Sequence, residues 1–168
     1  MKNLFILLFF FMVGTCFAPQ LKGTAKINRD KATLFEYLIN IRTYSVQYSI
    51  REIESNGRYT AIGLNNEYGA YQYSIETWNI ICKLLFGKVL DITNPENQDM
   101  VTKARIKRLI KLGYSDQQIA SIWNCGHSHW QGMVGVNADG IHYDVPKYVN
   151  KVITIIKIMQ SQPCRIQI

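Results

Sequence analysis

The stretch from Ile50 to Trp78 limits what this chain can fold into more than any other. Ile50-Arg51-Glu52-Ile53-Glu54-Ser55 continues an apolar, helix-spaced run, and Asn56-Gly57 then breaks the pattern. Further on, Gly69-Ala70-Tyr71-Gln72 reads as a compact turn ahead of a second helical run beginning after Ser74. A helix must therefore end against an irregular segment rich in Gly, Asn and Tyr, and its last acidic residue, Glu54, is delivered at that end. Ile50 and Ile53 lie four and one residues before Glu54, so its neighbours on the helix are partly apolar. Apolar surroundings disfavour a charged carboxylate and raise its pKa, which suits a general acid.

The remainder frames this stretch as one domain. A chain of 168 residues fits a single core, and 48% hydrophobic with 18% charged residues suits a globular fold rather than a disordered one. A formal charge of +7 suits an anionic polymer, whether nucleic acid, an anionic membrane or a bacterial wall, without choosing among them. No helix-turn-helix, zinc-finger or RNA-binding signature is present, so a nucleic-acid partner is not expected. Residues 1–18 read as a targeting segment, with Lys2 ahead of the apolar run Leu4 to Val13. That run is shorter than the roughly 20 apolar residues a membrane span needs, so a secretory signal is the better reading. Ordinary cleavage near Ala18, a lipid anchor at Cys16 and an uncleaved anchor remain the three alternatives, since Pro19 hinders the first and Thr15 fits the second poorly.

Residues 19–30 read as a linker, 31–160 as the domain and 161–168 as a loose tail. The spacing predicts helices over Lys31 to Thr43, turning Leu34, Phe35, Leu38, Ile39 and Ile41 inward, and over Ser45 to Ser55. Ser74 caps a helix over Ile75 to Phe86 that Gly87 stops. Asn94 and Pro95 open another that runs to Leu112, and a Ser115…Gln118 capping box opens one that delivers Asn124. Asp144 caps the last, from Val145 to about Met159. A hairpin turning near Asn65-Asn66-Glu67 and short extended runs around Ala138-Asp139-Gly140 supply a small irregular or β element. The expected class is mainly α, of an α+β kind. Lys103, Lys107 and Lys111 recur at every fourth position and form a basic face, which reads equally as solvated or as polymer-binding.

Four blocks in order, Glu54-Ser55, Gly69-Ala70-Tyr71-Gln72, Ser121-Ile122-Trp123-Asn124-Cys125-Gly126, and Tyr148 within Pro146-Lys147-Tyr148-Val149-Asn150-Lys151-Val152, span about residues 45 to 155. Together they resemble the signature of the soluble-type, goose-lysozyme-like lytic transglycosylases, relatives of phage muramidases and resuscitation-promoting factors. Tyr71, Trp123 and Cys125 depart from the family's usual Met, Tyr and Ala. The resemblance implies a lysozyme-like fold, a helical domain with a small irregular or β element lining a sugar groove. It implies Glu54 as catalytic acid and Ser55, Gly69, Tyr71, Gln72, Asn124 and Tyr148 as substrate-binding or groove residues. The Tyr148 hydroxyl is expected to hydrogen-bond Glu54 and help set its protonation.

The implied reaction is cleavage of the β-1,4 bond between N-acetylmuramic acid and N-acetylglucosamine in peptidoglycan, leaving 1,6-anhydro ends, with no cofactor and no metal. A hydrolytic muramidase is the first alternative. It needs a second carboxylate, for which Glu67 is the best candidate and Asp139 and Asp144 are weaker ones. A non-catalytic wall-binding protein is the second. The implied partners are glycan strands and, as for small single-domain members, a secretion, conjugation or phage-entry apparatus. A monomer in the periplasm, cell envelope or medium is expected.

The cluster Cys125-Gly126-His127-Ser128-His129, with His142, fits no common zinc spacing; a loop beside the cleft, with Trp130 stacking on sugar, is the expectation. Cys82, Cys125 and Cys164 remain after the signal, so one disulfide leaves one thiol over and the pairing is open. Glu52 points to a different side of its helix from Glu54 and reads as solvated or paired with Lys or Arg.

Overall fold

The longest element of the computed structural model is helix α1, Leu4–Ser55. The structure describes residues 4–136, 140 and 142–161, with side chains from residue 29 onward. The segments expected as a linker and two helices are thus one helix. Residues 20–32 are mostly Gln, Leu, Lys, Ala, Ile and Arg, most of which cost little in a helix, and nothing at Tyr44 breaks the run. A lack of apolar periodicity removes a reason to pack but does not by itself end a helix.

The chain divides into two compact units between Leu38 and Ile39. In the first, Leu34, Phe35 and Leu38 are exposed, contrary to the inward face expected for them. The buried face of α1 starts at Ile39 and continues through Thr43, Val46 and Ile50, with Ser45 and Ser49 buried beside them.

The second unit, from Ile39 on, holds the core. Helix α2 (Ile75–Phe86) is capped by Ser74, whose side chain accepts from Thr77 N, and ends at Gly87 in the left-handed region. Helix α3 (Pro95–Lys111) begins at Asn94, whose side chain accepts from Glu96 N and Asn97 N. Helix α4 (Asp116–Cys125) opens with the reciprocal Ser115/Gln118 capping box. Strands β1 (Val134–Val136) and β2 (His142–Asp144) pair antiparallel, with Gly135 opposite Tyr143. The expected turn residues Ala138 and Asp139 lie outside the described residues. Helix α5 (Val145–Ser161) follows directly, and Asp144 Oδ1 accepts from Lys147 N at 2.9 Å as its cap.

Val145, Val149, Val152 and Ile156 give α5 its buried stripe, packed mainly on α4 through Ile119 and Ala120. Trp78 and Cys82 of α2 and Val101 and Ile106 of α3 complete the core with Val46 and Ile50 of α1. Each such side chain contributes roughly 1.5–3 kcal/mol when fully buried. Arg42 ties α1 to the start of α4, donating to Asp116 Oδ1 at 2.7 Å and Tyr114 O at 2.6 Å. Among the described residues, the architecture is mainly helical, five helices and one two-stranded antiparallel sheet. No helix among them is long and apolar enough to cross a membrane.

Candidate active site

Helix α1 ends at Ser55 because Asn56 and Gly57 both take positive φ, 52° and 75°. Glu54 therefore stands in the last turn of a helix anchored by Ile50 below it. The Tyr148 hydroxyl, 94 positions later on α5, donates to Glu54 Oε1 at 2.6 Å. Burial pushes the Glu54 carboxyl up to about 7; the Tyr148 hydrogen bond opposes the rise, and the negative charge of Glu67 adds to it. Burial and the adjacent carboxylate hold the Tyr148 phenol well above its ordinary range, so it remains a donor. A carboxyl group with this balance is still substantially protonated near neutral pH, which is what proton donation requires.

Glu67 sits in the loop after the first irregular segment. Gly63 N donates to Glu67 O at 2.8 Å, and Ile62 pairs with Tyr68 across the turn, with Asn66 at φ 61°. This is the tight reversal expected near Asn65-Asn66-Glu67. The Glu67 carboxylate accepts from Asn65 N at 2.9 Å and Asn65 Nδ2 at 3.1 Å. Burial pushes it up, but these bonds and its own backbone amide outweigh burial and leave it below the ordinary value, hence ionised. Glu67 and Gln72 converge on Gly63, where a Cβ would collide with both.

Residues 69–72 form a turn held from three helices. Ser55, on α1, donates to Ala70 O at 3.0 Å and accepts from Arg58 N at 3.0 Å. Gln98, on α3, accepts from Ala70 N at 2.8 Å and donates to Tyr59 O and Ile92 O. Trp123, on α4, donates to Tyr71 O at 3.3 Å, with the Arg105 guanidinium 4.5 Å from its ring centroid. Gly69 has φ +83°, and a Cβ there would drive into the Gln98 amide, so glycine is required on two counts. Gln72 also has positive φ, 49°, and donates to Gly69 O at 2.8 Å.

Of the residues singled out in the sequence, Glu54 and Tyr148 are in direct contact. Asn124, exposed at the end of α4, lines a cleft of about 820 Å³ with Tyr148, Asn65, His127, His142 and Tyr143. A second trough of about 910 Å³ adjoins it, sharing Asp144, Lys147 and Lys151 and reaching Ile53 and Asn56 on either side of Glu54. Ser55, Gly69 and Tyr71 are buried. The first two brace the turn, and the Tyr71 side chain points away to Asp99, so these three support the site rather than offer groups to its cleft. Trp130 packs partly buried against the core and does not line the Tyr148 cleft. Cys82 is buried and carries no disulfide, nor does Cys125, whose Sγ donates to Ser121 O at 3.2 Å. Cys164 lies outside the described residues. Glu52 has Arg51 Nε at 3.6 Å, one of the two partners expected for it.

Sequence reasoning missed Gln98 and Asp99. Both are polar residues one turn into α3, where an acidic or amide side chain ordinarily faces water, and only the inward period through Thr102 and Ile106 marks Gln98 as buried. No family model, curated protein or solved structure matches the chain.

Proposed function

We propose that this protein is a peptidoglycan lytic transglycosylase with a lysozyme-like fold, exported to act on glycan strands of the wall. The observation that carries the reading is the Glu54–Tyr148 pair, a half-buried carboxyl poised near neutral pH at a helix end and beside an open cleft. The order of the four sequence blocks around that pair supports it, as do the two adjoining depressions of about 820 and 910 Å³ that share Asp144, Lys147 and Lys151.

In this mechanism protonated Glu54 gives its proton to the glycosidic oxygen as the bond to the muramic acid C1 breaks. Positive charge develops at C1 and the ring oxygen, as in other glycosidic cleavages. Glu54, now a carboxylate, takes the proton of the sugar's own C6 hydroxyl, and that oxygen closes on C1. The product is a 1,6-anhydro ring, the acid returns to its starting state, and no water is consumed. Tyr148 holds Glu54 in one orientation through both transfers.

The chain is expected to clear a suspension of purified wall, and Glu54→Gln to lose this by roughly 10²–10⁴-fold while keeping its far-ultraviolet circular dichroism. Near-parental clearing by a folded Glu54→Gln variant would remove Glu54 from the chemistry.

A hydrolytic muramidase is the second reading, and one observation favours it: ionised Glu67 is near enough for its charge to act on Glu54. In that case water attacks C1, with Glu67 as the assisting carboxylate. Asp144 is already committed to capping α5, and Asp139 lies outside the described residues.

A further inference from the structure

A separate cavity of about 240 Å³ opens between α1 and α3 and shares no lining residue with the Tyr148 cleft. Tyr71, 1% exposed, contributes its hydroxyl end. That hydroxyl donates to Asp99 Oδ1 at 2.5 Å and accepts from Gln47 Nε2 at 2.8 Å, while Tyr59 donates to Asp99 Oδ2 at 2.9 Å. Both carboxylate oxygens of Asp99 are thus taken up by phenol hydroxyls, which burial and that carboxylate keep protonated.

Two cations line the same cavity, Arg51 from α1 and Lys103 from α3. The Arg51 guanidinium lies 5.4 Å from the Tyr48 ring centroid and donates to the Tyr59 hydroxyl at 3.1 Å. Its Nε is buried and has no acceptor within hydrogen-bond distance, the Glu52 carboxylate standing 3.6 Å away as an ion-pair partner. The rings of Tyr44 and Tyr48, with centroids 6.3 Å apart, and the Met100 side chain provide apolar surface beside these charges.

We propose that this cavity is a binding site for a small carboxylate with a single-ring or single-residue apolar body. The carboxylate meets Arg51 and Lys103, and the body lies against Tyr44, Tyr48 and Met100. Guanidinium and ammonium donors favour a carboxylate, and tyrosine rings present an apolar face with a polar rim. The volume falls below the roughly 300–1,000 Å³ of drug-sized pockets, which suits a small acid. A free aromatic acid and the carboxyl-terminal residue of a peptide share this chemistry. The site does not depend on the reading of Glu54.

Isothermal titration of the full chain with benzoate, N-acetylphenylalanine, benzamide and inorganic phosphate tests it. Saturable binding of benzoate or N-acetylphenylalanine is expected, with benzamide and phosphate at least about 10-fold weaker. Tighter binding of N-acetylphenylalanine assigns the site to a peptide terminus, and tighter benzoate to a free acid. Lys103→Glu, at an exposed position that leaves the core intact, should weaken the carboxylates by about 10-fold or more. No saturable binding by either carboxylate, benzamide or phosphate binding equally well, or an unchanged affinity in Lys103→Glu would overturn the proposal.

Discussion

Glu54 couples the site's chemistry to the stability of the fold. Its proton is held to about pH 7 in the folded chain, against an ordinary value of 4.5. Between these values the unfolded chain releases the proton and the folded chain keeps it. Stability therefore falls as pH rises from about 4.5 to about 7 and is level above, a loss on the order of 3 kcal/mol from this one group. Glu54→Gln cannot ionise, so it should match its parent in urea unfolding at pH 4 and exceed it at pH 8. Parallel midpoints at both pH values would mean that Glu54 titrates as an ordinary surface carboxyl. Tyr148 works in the opposite sense, because its donated hydrogen bond favours the carboxylate. Tyr148→Phe should lower the rate of wall cleavage and move the high-pH fall of activity further upward, since Glu54 then holds its proton more firmly. A profile that keeps its shape would reduce Tyr148 to a packing residue.

At the scale of elements, the turn over residues 69–72 depends on neighbours that the sequence does not announce. Gln98 satisfies Ala70 N, Tyr59 O and Ile92 O with one buried amide. Gln98→Ala leaves these groups without their partner and opens a void, so it should cost about 2–4 kcal/mol in chemical unfolding. A loss under about 0.5 kcal/mol would show that the turn stands without α3. Helices α2 to α5 were legible because each has a cap residue, an apolar period and, for α2, α3 and α4, a glycine at its end. Helix α1 was legible only in part. Of the inward residues expected over Lys31 to Thr43 only Ile39 is buried, while Leu34, Phe35 and Leu38 are exposed, and the helix's continuity through residues 19–30 rests on propensity, which leaves no periodic trace. Gln98 and Asp99 stayed hidden because polar residues near a helix start are read as solvent-facing. Apart from Ile92, six residues from Gln98, their side-chain and backbone partners lie 28 to 52 residues away in sequence, beyond the reach of any local pattern.

Across the whole molecule, the core brings α1 and α5 together so that Glu54 and Tyr148 meet. That contact was anticipated through the order of the four blocks, since local spacing says nothing about a tyrosine 94 positions away. The basic surface and the open depressions along α5 suit a large anionic polymer. In the proposed reaction Glu54 alone supplies the proton chemistry and the sugar's own C6 hydroxyl supplies the nucleophile. Mass spectrometry of the fragments released from purified wall, by the parent chain and by Glu67→Ala, tests this most directly. Fragments are expected to end in anhydro-muramic acid, each lacking one water relative to hydrolysis products, with only a modest change of rate in Glu67→Ala. Reducing-end fragments, with a collapse of the rate when Glu67 is removed, would contradict it.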